Sequence, residues 1–269
     1  MNGNKIIRIT TVPQSLAILL KGQLKFMSNY FHLIGISSSG SFLNQVTNAE
    51  GIQTTKLEMT RSITPISDII AVFKLYKILK TESPLIVHSH TPKAGIIGMM
   101  ASWLANVPIR MHTVAGMPLL ETVGVKRLVL NAVEKATYFF ATKVYPNSKG
   151  LEKIIFNLGF ADESKLKVIA QGSSNGVDTS HFENNFTIND ISKLKIKHNI
   201  SETDFVYIFV GRLVKDKGLN ELIHAFDLIC KKKNNVSLLL VGELEAELDP
   251  LLSSTLNTIE INPKIFNKV

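Results

Sequence analysis

A single cysteine, Cys230, stands in the 269 residues, so no disulfide can form within the chain and nothing marks an oxidising compartment. It falls in a predicted helix, Leu219 to Lys231, where a buried thiol is expected. Long apolar runs are missing too. The longest, Gly95 to Val107, is interrupted by Ser102 and Asn106 and falls short of the ~20 residues that a membrane-spanning helix needs. Lys5 and Arg8 lead into a short β-like run, Ile6 to Val12, without an apolar core or a small-residue cleavage site, so no signal peptide is expected. No Gly-x-Gly-x-x-Gly follows that run, which disfavours a dinucleotide dehydrogenase. The positive charge is dispersed and lacks interleaved aromatics, which disfavours nucleic-acid binding. His88 and His90 share one strand face, but no Cys, Asp or Glu cluster stands nearby to complete a metal site. These absences predict a cytoplasmic protein, with peripheral contact at the inner face of the cell membrane left open.

What is present supports a large core. The chain is 45% hydrophobic, its length suits two domains, and its net charge of +8 favours acidic partners such as nucleotides, phosphorylated lipids or an anionic membrane surface. Strand-like and helix-like patterns alternate. Strands are expected at Ile6 to Thr11, Phe31 to Ser37, Ile52 to Leu57, Leu85 to His88, Ile109 to Met111, Lys143 to Pro146 and Lys167 to Ala170. Helices are expected at Ser15 to Ser28, Phe42 to Ala49, Ile66 to Leu79, Lys93 to Leu104, Val125 to Ala141 and Ser148 to Leu158. That rhythm predicts an α/β fold with a mostly parallel sheet covered on both faces.

From Gln171 to Phe182 turn formers dominate, as at a domain crossing, which gives an N-terminal domain of residues 1–172 and a second domain of residues 173–269. The alternation then resumes with a helix Ile188 to His198, a strand Phe205 to Val210, the helix Leu219 to Lys231, a strand Val236 to Val241, a helix Leu244 to Leu252 and a last strand within Ile259 to Val269. The run Phe205 to Val210 empties into Gly211-Arg212-Leu213-Val214-Lys215-Asp216-Lys217-Gly218, directly before a helix. Glycines permit tight turns, Arg212 offers a planar fork of donors, Lys217 a mobile point charge, and the helix start its positive dipole end. A diphosphate suits such a loop.

Four segments in this order resemble the retaining glycosyltransferases of family 4: Thr11-Val12-Pro13-Gln14-Ser15-Leu16, Val87 to Gly95, His112 to Pro118, and Asn175-Gly176-Val177-Asp178 together with Gly211 to Gly218. The resemblance implies the GT-B fold, with a complete N-terminal Rossmann-like domain on the acceptor side and the first part of a second, nucleotide-sugar-binding one. It is nearest to enzymes of bacterial capsule and lipopolysaccharide assembly. It implies a UDP-sugar as substrate, no metal or other cofactor, a lipid-linked or polysaccharide acceptor, and retention of anomeric configuration. It further implies that Arg212 and Lys217, with Gly211, hold the donor diphosphate, and that His112, just past its predicted strand, faces the transferred sugar.

Gln14 and Ser15 are candidates for phosphate contact, although Pro13 removes a backbone donor where the family usually has a glycine-rich loop. His90 and Lys93, at a polar strand end beside a cleft, are candidates for contact with acceptor or phosphate, and Glu121 for the acceptor region. Lys21, Lys25, Lys126 and Arg127, beside Leu20, Phe26, Leu128 and Val129, suit either membrane contact or ordinary amphipathic packing. The family's glutamate pair in a Glu-Gly-Phe-Pro-like segment does not occur. Glu243, Glu245 and Glu247 read instead as the first turn of the next helix, and the chain as given is expected to be incomplete for catalysis. Two other functions remain open: a sugar-nucleotide epimerase of the same fold, and a non-catalytic nucleotide-sugar or membrane-surface binder.

Overall fold

The computed structural model describes residues 4–173, 176–245 and 249–268; Asn175 and Glu247 lie outside them. The chain divides into two compact units, Met1–Val177 and Asp178–Val269.

The first unit runs β1 (Lys5–Ile9), α1 (Pro13–Leu19), α2 (Gln23–Ser28), β2 (His32–Ser37), α3 (Ser41–Glu50), β3 (Gln53–Lys56), α4 (Pro65–Glu82), β4 (Ile86–Ser89), α5 (Pro92–Leu104), β5 (Ile109–Val114), α6 (Gly124–Phe140), β6 (Lys143–Pro146) and α7 (Lys149–Asn157). Its six strands are parallel in the order β3-β2-β1-β4-β5-β6, which reverses direction between β1 and β4. The two-residue period of β1 sends Ile7 and Ile9 into one core with Leu75 and Leu79 of α4 and Ile97 of α5. Ile6 goes into the opposite core with Leu16, Leu20 and Leu24.

The second unit runs α8 (Ile188–Lys197), β7 (Phe205–Val210), α9 (Leu219–Cys230), β8 (Val236–Val241), α10 (Ser253–Ile261) and β9 (Ile265–Lys268), with the parallel order β7-β8-β9. Its core joins Leu219, Ile223 and Phe226 of α9 to Leu238 and Leu240 of β8. Cys230 is half-buried rather than buried.

Four expectations are corrected. The helix expected over Ser15 to Ser28 is two helices, broken where Gly22 takes φ 75°, because the buried Glu50 carboxylate accepts from Gly22 N at 2.7 Å and Lys25 N at 2.8 Å and so satisfies the start of α2. Lys167 to Ala170 is not a strand: Leu166 makes one isolated bridge to Val144, and Ala170 then turns with φ 49°. β5 extends to Val114, so His112 lies within the strand, flanked by Ser89 on β4 and Val144 on β6. No helix covers Leu244, Glu245 or Asp249 to Leu252; Leu244 bridges to Leu213, and α10 begins only after Pro250.

Candidate functional site

The carboxyl ends of β1, β4 and β5 gather most of the first unit's candidates. His112 is 2% exposed, its Nδ1 lies 2.9 Å from Ser89 Oγ, and its ring lies 5.9 Å from that of Tyr138. Gly95 on α5 is required there, since a Cβ would come 2.6 Å from His112 Cε1. The Ser89 hydroxyl also lies 3.5 Å from Met111 O, so it bridges the ring and the backbone of β5. Burial pushes the His112 pKa down to about 4, opposed only in part by a hydrogen bond to the Ser89 backbone, so the ring is neutral at neutral pH.

This gives a stability prediction. The folded value, about 4, lies below the ordinary 6.5, so the unfolded chain takes the proton first, and stability present above about pH 6.5 is lost as pH falls towards 4. His88 and His90 shift in the same direction, mainly through burial. The urea midpoint is expected to drop between about pH 7 and pH 4.5, and less steeply in His112→Gln; equal slopes would contradict a neutral buried His112.

His90 Nε2 accepts from Arg8 Nε at 2.9 Å, and His88 Nε2 lies 2.8 Å from Thr113 Oγ1. The two rings lie with centroids 4.1 Å apart, tilted by 39° to one another. Lys93 is committed to Asp68, with Nζ 2.5 Å from Oδ2, so an acceptor or phosphate contact by Lys93 requires breaking that largely shielded ion pair. Thr11 and Thr91 tie two of the βα loops together, with Thr11 N donating to Thr91 Oγ1 at 2.9 Å. Gln14 is exposed, whereas the Ser15 amide already donates to Val12 O at 3.1 Å within the first turn of α1. Glu121 is exposed, in a short 3-10 turn, Pro118–Glu121.

In the second unit, the loop after β7 passes Gly211 at φ 154°, makes a 3-10 turn at Lys215–Lys217 and enters α9 through Gly218 at φ 72°. Buried Leu213 and Val214 anchor it while Arg212, 54% exposed, and Lys217 face outward. The Asp249 carboxylate accepts from Asp216 N at 2.6 Å and holds the turn. The first turn of α9 has no side-chain cap, so the amides that follow Gly218 are free of one. The loops after β7 and β8 touch backbone to backbone: a Cβ on Gly242 would stand 1.8 Å from Gly211 O.

Arg212 Nη1 donates to Glu245 Oε2 in an ion pair, and the backbone carbonyl of Glu243 accepts from Leu213 N at 2.8 Å. These glutamates thus brace the basic loop instead of opening a helix. Sequence reasoning missed Arg8, Ser89 and Glu245. For Arg8 a signal existed, a charge at an interior position of an apolar strand; for Glu245 there was none, since its partner lies 33 residues away.

Two family models match the chain: one described as "Glycosyl transferase 4-like" over residues 14–148, half of its length, and one described as "Glycosyl transferases group 1" over residues 190–261. The Staphylococcus aureus capsular polysaccharide biosynthesis glycosyltransferase CapM is 38% identical over 251 residues, covering 92% of this chain and 63% of that protein. The Escherichia coli UDP-Gal:alpha-D-GlcNAc-diphosphoundecaprenol alpha-1,3-galactosyltransferase is 35% identical over 167 residues, 60% of this chain and 40% of that protein. The chain therefore spans less than two thirds of the length of these relatives. Among solved structures, Anabaena HepE in complex with UDP and glucose is similar with a TM-score of 0.74 at 18% identity, covering 98% of this chain and 68% of that one. A putative UDP-N-acetylglucosamine 2-epimerase from Listeria monocytogenes gives 0.65 at 12% identity, with 99% and 69% covered. At such identities the likeness concerns the fold, which is the Rossmann-like GT-B type, and by its sequence the chain belongs to the glycosyl transferase 4-like family.

Proposed function

We propose that this chain serves a glycosyltransferase that moves a sugar from a UDP-sugar to a lipid-linked or polysaccharide acceptor, with retention, in cell-surface polysaccharide synthesis. The observation that carries the reading is the loop after β7, where exposed Arg212 and Lys217 and the uncapped start of α9 converge on one loop. As the bond between the anomeric carbon and the diphosphate breaks, negative charge grows on the leaving UDP. Preorganised cations and helix amides stabilise that charge more than they stabilise the ground state. Such a departure needs no metal or other cofactor, and the donor is a substrate. The relatives' names supply the substrate classes: capsular polysaccharide for one, a UDP-sugar and a diphospholipid-linked sugar for the other.

In this reading the first unit serves the acceptor, with neutral His112 hydrogen-bonding to a sugar hydroxyl, and the second holds the nucleotide sugar. No helix among the described residues is long and apolar enough to cross a membrane. Exposed Phe26, Val125 and Leu128 beside exposed Lys21, Lys25 and Lys126 support peripheral contact with an anionic cytoplasmic membrane face. Arg127 adds less there, because it donates to Leu119 O and to Asn131 Oδ1.

The test is to give the purified chain a labelled UDP-sugar, alone and with a sugar-diphospholipid. UDP-sugar is expected to bind and to stay unconverted when alone. Absence of binding, or epimerisation of the donor without an acceptor, would contradict transfer; the second outcome would favour the epimerase.

A further inference from the structure

Arg8 occupies a position where the fold calls for an apolar side chain. It shares the face of β1 with Ile6, between Ile7 and Ile9, and is 3% exposed. Its hydrogen-bond partners among the described residues are all uncharged: His90 Nε2 at 2.9 Å, Gln23 Oε1 at 3.3 Å and Met27 Sδ at 2.9 Å. A guanidinium withdrawn from water is costly unless an anion compensates it, and none of these groups is one. Burial lowers its pKa only to about 10, so it remains charged at neutral pH.

The contact with His90 fixes a proton. Guanidinium nitrogens donate and never accept, so His90 Nε2 must supply its lone pair, and the ring of neutral His90 carries its hydrogen on Nδ1. Burial, the neighbouring His88 ring and the charge of Arg8 all oppose protonation of His90. The pair also stands at a telling place: His90 follows the carboxyl end of β4, its amide donates to Ile9 O on β1, and β1 and β4 are the strands between which the sheet order reverses. In open α/β sheets, ligands bind outside the strand ends at that reversal.

We propose that Arg8 and His90 form an anion subsite of the first unit, in which His90 Nδ1–H donates to a phosphate oxygen of a substrate while Arg8 supplies the buried charge behind it. The proposal rests on the glycosyl-transfer reading, in which the UDP-sugar donor and a diphospholipid acceptor both carry a diphosphate. Its residues are distinct from Arg212 and Lys217. The local alternative cation, Lys93, is already neutralised by Asp68.

The 269-residue chain, as wild type, His90→Ala, Arg8→Met and Arg212→Ala/Lys217→Ala, is titrated calorimetrically with UDP and separately with geranyl diphosphate. His90→Ala and Arg8→Met are each expected to weaken one probe at least tenfold, with no further loss when the two are combined as His90→Ala/Arg8→Met. Weakened geranyl diphosphate binding assigns the subsite to the acceptor, and weakened UDP binding assigns it to the donor. Unchanged affinity of both probes in a His90→Ala protein with wild-type melting overturns the subsite; if Arg212→Ala/Lys217→Ala loses UDP in the same series, the functional reading stands without it. Loss in His90→Ala with unchanged UDP binding in Arg212→Ala/Lys217→Ala keeps the subsite and removes the loop. Should Arg8→Met not fold, nitrogen NMR of wild-type His90 decides: a proton on Nδ1 is expected, and one on Nε2 overturns the proposal.

Discussion

Arg212→Ala combined with Lys217→Ala is expected to lower UDP affinity by about two to four orders of magnitude, since hydrogen bonds to charged groups contribute roughly 1.5–3 kcal/mol each. The ion pair of Arg212 with Glu245 offsets little of this. Arg212 is 54% exposed, and exposed pairs are worth about 0.2–1 kcal/mol, so a diphosphate can share or take over the guanidinium at small cost. Removing Arg212 also leaves Glu245 without that partner beside the loop, where its carboxylate opposes an anionic ligand. Both replaced side chains face outward, so thermal unfolding is expected to stay within about 0.5 kcal/mol of wild type. Calorimetric titration checks the affinity; UDP binding unchanged in a stably folded double variant would remove both residues from the donor site.

The largest expected effect on stability is that of Gly242→Ala. Its φ of 149° already disfavours a side chain, and a Cβ would stand 1.8 Å from the Gly211 carbonyl oxygen, so backbone must move where no flexible group can yield. A loss of roughly 3 kcal/mol or more in the second unit is expected. Displacement of Gly211 shifts Arg212 with it, so UDP affinity falls as well. Gly116→Ala is the control, because a Cβ there has nothing within 4 Å. Urea unfolding of the two variants decides the matter: a Gly242→Ala midpoint as close to wild type as that of Gly116→Ala would contradict the close crossing of the two loops.

Much of the fold was legible because it rests on local signals. The apolar runs that became β7 and β8, and the helix starts set by Pro65 and Pro92, show themselves within a few residues. The features that were not legible depend on distant partners. The break between α1 and α2 needs Glu50, the placement of Leu244 needs Leu213, and the end of β5 needs strands on both of its sides. The same division holds for the candidate site. The basic loop is contiguous, so Arg212 and Lys217 could be picked out by residue type and position. The neutral state of His112 comes from burial, the commitment of Lys93 from Asp68 on another helix, and the pairing of Arg8 with His90 from adjacent strands. None of these is encoded in spacing along the chain.

A crystal structure of this chain with UDP bound would show whether the loop from Gly211 to Gly218 holds the diphosphate of a nucleotide sugar. The diphosphate oxygens are predicted to lie within about 3.2 Å of donors on Arg212, Lys217 and the first amides of α9. A diphosphate seated elsewhere, with Arg212 and Lys217 in contact only with solvent and Glu245, would remove this loop from the donor site.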